Sequence, residues 1–245
     1  MNPVIDCMTA HRSIRRFTPE PVPDTLVKEL LAAAQCAATS SHVQAYSVIQ
    51  VRDKEARQQI AQLAGPQIWV ETAPVFLVFC ADIARLEAAC RRHGVAAETG
   101  WAEQGLVATV DTALLGQNMM LAAESVGLGG VFIGGIRNDP ESVCRLLDIP
   151  DQVYPVFGLC LGYPDQDVPT KPRLPLGAVL HDGRYNAQKS EQGLDEYDKV
   201  VNAYYADRSP ILADRTWTSG MADFTGQKVR PHMKSFLESK GFFTR

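Results

Sequence analysis

The feature that most restricts the fold of this chain is the apolar segment at residues 103–126. Leu106, Val110, Leu114 and Met119 recur there at helical spacing, and apolar side chains continue nearly all round the predicted helix. A helix with apolar side chains on every side needs other protein surfaces to bury each of these sides. The segment is therefore predicted to lie in a protein core or in an interface between subunits.

Shorter segments with helix and strand patterns flank this long helix. Helices are predicted at residues 3–10, 54–63 and 141–147, and one more begins after Asp24 as its N-cap. Strands are predicted at residues 46–51, 74–81, 131–133 and 153–161. Prolines interrupt the chain after Gly162, and the part that begins at Leu194 is helical and polar. With few apolar side chains, that part is predicted to wrap the main body or a partner subunit.

Composition narrows the class of protein. The 245 residues carry a net charge of -4, which disfavours nucleic acid as a partner. The sequence shows no uninterrupted apolar run of the roughly 20 residues that span a bilayer, and its N-terminus lacks a signal-peptide core. The six cysteines form no Cys-x-x-Cys pair, and no His and Cys cluster has zinc spacing. We therefore expect a cytoplasmic protein with reduced thiols and no metal.

Two basic clusters are candidate phosphate sites. The segment His11-Arg12-Ser13-Ile14-Arg15-Arg16 offers guanidinium and hydroxyl groups, which suit phosphate oxygens. Lys171-Pro172-Arg173 sets two cations on either side of a stiff proline. Each could also be a solvated basic turn, but two such clusters in one acidic protein favour a shared phosphate site.

Two further segments are candidates for binding a flat or polyhydroxylated ligand. Gly127-Leu-Gly-Gly-Val-Phe-Ile-Gly-Gly135 allows close approach of a ligand to the backbone, or forms a tight turn between helix and strand. It is not a Rossmann fingerprint, because Phe132 stands where that motif needs glycine. The run Ala38-Thr-Ser-Ser-His-Val-Gln44 offers hydroxyl and amide groups to a polyol, or caps the preceding helix.

The chain resembles the nitroreductase family in three segments, which are His11-Arg-Ser-Ile-Arg15, Ala123-Glu-Ser-Val-Gly-Leu-Gly-Gly-Val-Phe-Ile-Gly-Gly135 and Phe157-Gly-Leu-Cys-Leu-Gly162. The segment Lys171-Pro-Arg-Leu-Pro175 resembles the A-type branch, which contains the oxygen-insensitive NADPH nitroreductases and the NADPH flavin reductases. The similarity runs through nearly the whole chain, into Arg230-Pro231 and Gly241-Phe-Phe-Thr-Arg245.

This resemblance implies an α+β fold, with a central, mainly antiparallel sheet flanked by helices. It also implies an intertwined homodimer, in which the long helix lies in the interface and both chains build each of two FMN sites. In these terms residues 1–165 form the FMN-binding core. Residues 166–245 are a C-terminal extension of the same domain, which completes the site and wraps the partner subunit.

The resemblance also implies roles for particular residues. His11, Arg12, Ser13, Lys171 and Arg173 would bind the FMN phosphate and ribityl chain, and Arg15 would lie near flavin N1 and O2. The flavin-lining residues would be Thr39, Ser40, Ser41, Gln44, Gln67, Phe132, Ile133, Gly134 and Gly135. Arg208, Arg215 and Arg230 would meet NADPH or the substrate. In Ala213-Asp-Arg-Thr-Trp217 one arginine of the family's pair is missing, which leaves the preference for NADPH over NADH undecided.

The activity implied is a ping-pong hydride transfer from NADPH through FMN to nitroaromatics, nitrofurans or quinones, two electrons at a time. No side-chain nucleophile is needed, since the flavin carries the hydride and the protein supplies binding and electrostatics. The nearest alternative is an NADPH-dependent flavin reductase that supplies reduced FMN to a partner oxygenase. A protein that binds flavin without turnover is a third alternative. The physiological acceptor and the pathway do not follow from the sequence.

Overall fold

The computed structural model of the chain describes residues 2–208, 211 and 214–245. Contacts divide it into two compact units. The first unit comprises Met1–Val168 and His232–Arg245, and the second comprises Pro169–Pro231.

A four-stranded sheet forms the centre of the first unit. Its strands are β1 (Tyr46–Gln50), β2 (Val75–Asp82), β3 (Gly129–Ile133) and β4 (Val153–Gly162). The order across the sheet is β1-β2-β4-β3, and every pair of neighbouring strands is antiparallel. The predicted α+β class and antiparallel sheet are thus confirmed, and the four predicted strands differ from the observed ones by only one or two residues at their ends.

Strand β2 explains why the sheet is covered on both sides. Side chains alternate between the two faces of a strand. Leu77 and Phe79 therefore belong to one apolar cluster, and Phe76 and Val78 belong to another. All eight residues of β2 are buried, which matches the continuous apolar run in the sequence.

Helices flank this sheet in the first unit. They are α1 (Pro3–Thr9), α2 (Asp24–Ala34), α3 (Lys54–Leu63), α4 (Ile68–Thr72), α5 (Ala84–Arg92), α6 (Ala102–Ser125), α7 (Pro140–Leu146) and α11 (Met233–Ser239). Helices α2 and α6 contribute to the cluster that contains Phe79, and α3 and α7 to the cluster that contains Phe76. The predicted capping role of Asp24 is wrong. Asp24 is the first helical residue, and Pro23 occupies the cap without a side-chain hydrogen bond.

The long helix α6 has one face in the core and one face outside it. Leu115 and Met119 are fully buried, whereas Leu106, Val110 and Leu114 are 43–55% exposed. By length and composition alone this helix could cross a membrane, and 44% of the apolar window is buried inside the chain. Because the buried residues pack on the central sheet, α6 is a core helix that leaves an apolar face uncovered.

The second unit contains α8 (Leu176–Val179), α9 (Ala187–Arg208) and α10 (Trp217–Thr225). The Asp198 carboxylate on α9 accepts a hydrogen bond from the backbone N–H of Thr218 at 2.9 Å, and another from its hydroxyl. Burial acts to raise the pKa of Asp198, but hydrogen bonds from Thr218 and its neighbours outweigh it and lower the pKa. This carboxylate joins the two longest helices of the unit.

Candidate functional site

The first basic cluster lies alongside strand β3. Ser13 pairs with Gly130 in a short parallel bridge, and the Ile14 backbone N–H donates to the Gly130 carbonyl at 2.9 Å. Ile14 is buried, and successive side chains of extended backbone point in opposite directions. The bridge therefore turns Ser13 and Arg15 away from the core side that Ile14 occupies.

A largely buried carboxylate fixes the imidazole of His11. His11 Nδ1 lies 2.6 Å from Glu124 Oε1, and the two side chains are 29% and 12% exposed. Cys7 lies nearby. Burial, and to a smaller extent the charge of Glu124, raise the pKa of its thiol. The contact joins residues 113 positions apart and leaves the second imidazole nitrogen for a ligand.

Arg15 lies over an aromatic ring of the helix that precedes strand β2. Its guanidinium carbon is 5.6 Å from the centre of the Trp69 ring, and its backbone N–H donates to Gln166 Oε1 at 3.1 Å. Trp69 belongs to α4, and Gln67 occupies the N-terminal cap position of that helix. The sequence-predicted residues Arg15 and Gln67 are therefore brought to the same region of the first unit.

Arg57 anchors the helix that carries Trp69. Its guanidinium donates to the carbonyl oxygens of Val70 at 2.8 Å and Ala73 at 2.5 Å. Burial lowers the pKa of Arg57 from its usual value. These bonds satisfy carbonyl groups at the end of α4, which lacks the length to stabilise itself.

The glycine pair after β3 lies against the end of α3. A Cβ at Gly135 would be 2.2 Å from the carbonyl oxygen of Ala64, so only glycine fits there. At Gly134 the nearest atom is the end of the Arg137 side chain at 3.3 Å. Of the two residues before them, Ile133 is buried, and the Phe132 ring packs edge-on against Phe157 at 5.1 Å. Phe132 thus offers a ligand its backbone rather than its ring.

The predicted polar loop at residues 38–44 is held by α6. Asp111 accepts hydrogen bonds from the backbone N–H groups of Ser40 at 3.1 Å and Ala45 at 3.2 Å. Between these bonds, Ser41, His42 and Gln44 all have positive φ angles. The hydroxyl-bearing residues Ser40 and Ser41 are exposed.

In the second unit, three cations surround a tyrosine pair on α9. Lys171 Nζ lies 5.6 Å and the Arg215 guanidinium 5.3 Å from the Tyr205 ring. Arg208 lies 5.3 Å from the Tyr204 ring and donates to the Tyr204 hydroxyl at 2.5 Å. The structure thus groups three of the predicted anion-binding side chains. Ala213, the first residue of the segment in which one arginine of the family's pair is missing, lies outside the described residues.

The remaining predicted residues of this unit are Arg173 and Arg230. Arg173 donates to the Lys171 carbonyl oxygen at 2.5 Å, and the Tyr197 hydroxyl donates to the Pro172 carbonyl oxygen at 2.8 Å. These two bonds hold the backbone between the two cations. Arg230 has a φ angle of 48° and is partly exposed.

A cleft of about 770 Å³ lies on the α1 and α6 side of the first basic cluster. Arg12 and Glu124 line it, but Arg15, Gln67 and Gly134 do not. It therefore differs from the region in which the predicted flavin residues gather, and we do not assign the flavin to it.

Three of the six cysteines are buried thiols. Cys80, Cys144 and Cys160 are free and buried, and burial raises the pKa of Cys144 to about 11. Among the residues that the structure describes, no group of His, Cys, Asp and Glu could hold a metal ion. The candidate site residues instead offer cations, hydroxyl and amide groups, and backbone that a ligand can approach closely. Such groups suit an anionic, polyhydroxylated, flat ligand.

Fold and sequence comparisons place the chain among the α+β oxidoreductases. The family model described as "Nitroreductase family" matches residues 8–163, and its C-terminal domain model matches residues 171–245. The chain therefore belongs to the nitroreductase family, as the sequence motifs predicted.

Two curated relatives match along their whole length. An oxygen-insensitive NADPH nitroreductase of Salmonella typhimurium is 42% identical, with 100% of both chains covered. An NADPH-flavin oxidoreductase of Vibrio harveyi is 40% identical, also with 100% of both chains covered. The crystal structure of nitroreductase A from Vibrio parahaemolyticus superposes with a TM-score of 0.92 at 38% identity, over 100% of both chains. A third relative, an FMN reductase (NADPH) of Bacillus subtilis, is 39% identical over 99% of both chains. The predicted A-type branch, the oxidoreductase class and the cofactors FMN and NADPH are thus confirmed.

Three residues of this region were not among the sequence-predicted site residues. Glu124, Trp69 and Asp111 contact His11, Arg15 and the polar loop respectively. The sequence does contain one signal for Asp111, which is the only acidic residue between Glu103 and Glu124 in the apolar segment.

Proposed function

We propose that the chain is an FMN-dependent NADPH oxidoreductase that reduces nitroaromatics, nitrofurans and quinones by two electrons. The observation that supports this most is the fixed arrangement of the His11–Arg15 segment beside β3. In this arrangement Glu124 holds the His11 imidazole, and Arg15 lies over the Trp69 ring. The chain also belongs to the nitroreductase family.

The residues present fit FMN. Its phosphate needs cations and hydroxyls, which His11, Arg12 and Ser13 offer, and Arg12 is exposed. Its flat ring needs backbone that it can approach closely. Gly134 offers such backbone, because a Cβ there would meet only the end of a side chain. We propose that Lys171 and Arg173 complete the phosphate site, and that Thr39, Ser40, Ser41, Gln44, Gln67, Phe132, Ile133 and Gly135 line the rest.

FMN supplies the two-electron hydride chemistry when it is bound. Arg15 would stabilise the negative charge that develops on reduction, because its guanidinium is already oriented over Trp69. Arg208 and Arg215 would bind the anionic part of NADPH, and Arg230 would meet the substrate. None of these residues needs to act as a nucleophile, and protons can come from water.

We further propose that two copies of the chain form the working enzyme, in the cytoplasm. Exposed apolar side chains on α6 and α1 support this, among them Val110, Leu114, Val4 and Met8. Soluble proteins rarely leave large apolar patches uncovered. In this dimer residues 1–165 would form the FMN-binding core, and residues 166–245 would complete the site and wrap the partner subunit.

The second candidate function is an NADPH-dependent flavin reductase. The Vibrio harveyi relative of that name is 40% identical, against 42% for the Salmonella typhimurium nitroreductase, so neither reading is favoured by similarity. The two activities share the flavin and the donor, and they differ in whether reduced FMN leaves the protein.

Anaerobic titration of the purified protein with NADPH, and separately with NADH, tests the proposal. We expect NADPH to bleach the oxidised flavin band, and nitrofurazone or menadione to restore it in a 1:1 ratio. Restoration by added free FMN, with weak response to the nitro compound, would favour the flavin reductase. A colourless protein, or a yellow one that neither nucleotide bleaches, would contradict both readings.

A further inference from the structure

The loop between α2 and β1 has a backbone that its residues do not favour. Ser41, His42 and Gln44 have φ angles of 47°, 57° and 53°. Residues other than glycine rarely adopt this left-handed region, and three such residues within four positions need surroundings that hold them. The loop conformation is therefore imposed by contacts outside the loop.

Asp111 provides the innermost of these contacts. Its side chain is buried, and its two oxygens accept hydrogen bonds from separate backbone groups, Ser40 N–H at 3.1 Å and Ala45 N–H at 3.2 Å. These two amides lie just before and just after the three left-handed residues. One carboxylate thus closes the loop at both ends.

A second charged side chain holds the same segment from the outer side. The Arg85 guanidinium donates to the carbonyl oxygens of Gln44 at 3.2 Å and Tyr46 at 3.3 Å. Arg85 is largely exposed, whereas Asp111 is 1% exposed. The buried member is the stronger constraint, because water competes less for its hydrogen bonds.

A carboxylate is a costly choice for this position of α6. Asp111 is buried in a helix whose other buried side chains are mainly apolar or small, including Ala108 and Leu115. Burying a carboxylate is unfavourable unless its oxygens accept hydrogen bonds, and here both accepted bonds come from the loop. The geometry therefore ties the presence of Asp111 to the conformation of residues 40–45.

We infer that Asp111 is a positioning residue for cofactor binding. It holds the left-handed loop so that the exposed Ser40 and Ser41 hydroxyls and the Gln44 amide are presented together to the flavin. The inference rests on the proposed function, because it takes these loop residues as flavin contacts. Asp111 itself is buried and acts only through the loop.

The test replaces Asp111 with asparagine in the full chain. Asp111→Asn keeps the side-chain shape but leaves only one acceptor oxygen for two N–H groups. Titration of FMN-free protein with FMN, followed by flavin fluorescence, should show a dissociation constant about tenfold higher than in the parent. Hydrogen exchange of the FMN-free variant should show faster exchange at Ser40 or Ala45.

Thr112→Val is the matched control. Thr112 is the next residue of α6 and is fully buried, but its hydroxyl donates to Ala108 and Cys80 rather than to the loop. This variant should lose stability without a change in FMN affinity or in the absorption spectrum of bound flavin. If Asp111→Asn also kept the parental FMN affinity and spectrum, the inference would be overturned while the proposed function stood.

His42→Val and His42→Gly test the loop without a change in the core. His42 is exposed and is not among the proposed flavin contacts. Both variants remove the imidazole, which lies 3.2 Å from the Gln44 amide nitrogen, but valine opposes a positive φ and glycine allows it. His42→Val should therefore weaken FMN binding more than His42→Gly. Equal affinity in these two variants, or rapid exchange of the Ser40 and Ala45 amides in the FMN-free parent, would overturn the inference. A parent that binds no FMN at all would instead overturn the proposed function.

Discussion

His11 and Glu124 form the most specific residue-level contact in the first basic cluster. The 2.6 Å bond to Glu124 occupies Nδ1 of the imidazole and directs the ring. A carboxylate in this position favours a hydrogen on Nδ1, which fixes the orientation of the ring and turns its second nitrogen away from Glu124.

Glu124→Gln tests this arrangement. The amide keeps the shape of the side chain but removes the charge that orients His11. Loss of a hydrogen bond to a charged group costs about 1.5–3 kcal/mol, so the dissociation constant for FMN should rise roughly tenfold or more. Titration of FMN-free protein measures this. Glu141→Gln, on an exposed residue of α7, is the control and should bind FMN like the parent. Equal affinity in both variants would show that His11 needs no carboxylate.

Arg208 and Arg215 bear on the choice of nucleotide. Both are exposed and held by tyrosine rings on α9, Arg208 by Tyr204 and Arg215 by Tyr205. NADPH differs from NADH by one phosphate, and a cation that binds only this group affects only NADPH. Arg208→Ala should therefore raise KM for NADPH by about ten- to a hundredfold and leave KM for NADH within twofold.

Arg215→Ala decides whether this residue replaces the missing arginine of the family pattern. If it does, steady-state kinetics of the variant should show the same selective loss as Arg208→Ala. Lys199→Ala, at an exposed position of α9, serves as the control. A loss that is equal for NADPH and NADH would instead assign Arg215 to the fold or to the acceptor.

At this scale the sequence motifs pointed to the residues that are proposed to face a ligand, but not to the residues that hold them in place. His11 and Arg15 belong to a motif of adjacent residues, so similarity to a family can locate them. Glu124 and Asp111 act through contacts that span 113 and 71 residues, and no local pattern records such pairs. These contacts form only where the folded chain brings the distant segments together.

At the scale of elements, the turn after β3 shows how tightly backbone segments meet near the proposed site. Gly135 lies against the Ala64 carbonyl at the end of α3, and the neighbouring Gly134 has more room. Backbone at an element end cannot move aside as a side chain can. The two adjacent glycines therefore differ in their tolerance of a methyl group.

Gly135→Ala should lower the free energy of unfolding by about 1–3 kcal/mol, because the added Cβ overlaps backbone. Gly134→Ala should cost less than about 1 kcal/mol, since only the end of Arg137 needs to shift. Urea denaturation at constant pH measures both. A loss in Gly134→Ala as large as in Gly135→Ala would mean that the two positions are equally crowded, against the geometry seen here.

Most elements of the first unit were predicted from sequence, whereas helices α4 and α5 were not. Helix α3 was predicted at its observed bounds, and α6 to within one residue at each end. Helix α4 was missed because its five residues cover little more than one turn, too few to show a period. Its structure depends on bonds from Arg57, which lies on another element.

At the scale of the whole molecule, the uncovered apolar faces need an explanation. Leu106, Val110 and Leu114 lie at successive turns of α6, and each is more than 40% exposed. Periodicity alone indicated a helix covered on all sides, in a core or in an interface between subunits. The structure accounts for one face, which packs on the sheet, and the other face supports the proposed dimer.

Val110→Glu tests whether this face meets a second copy of the chain. A charge placed in an apolar interface without a partner costs several kcal/mol, so the dissociation constant of the dimer should rise by more than about 100-fold. We expect the parent to sediment at twice the chain mass of 26.8 kDa and the variant to sediment largely at the single-chain mass. Gln59→Glu, at an exposed position of α3, adds the same charge elsewhere and should leave the dimer intact.

The same variant tests whether the flavin site depends on both chains. If the polar loop of one subunit meets the basic cluster of the other, the monomeric Val110→Glu protein should also lose most of its bound FMN. Circular dichroism would show that the monomer is still folded, since Val110 is not part of the core that packs on the sheet. A folded monomer that retains FMN with parental affinity would show that one chain is enough to bind the flavin. A variant that remains a dimer would show that the exposed face of α6 serves another purpose.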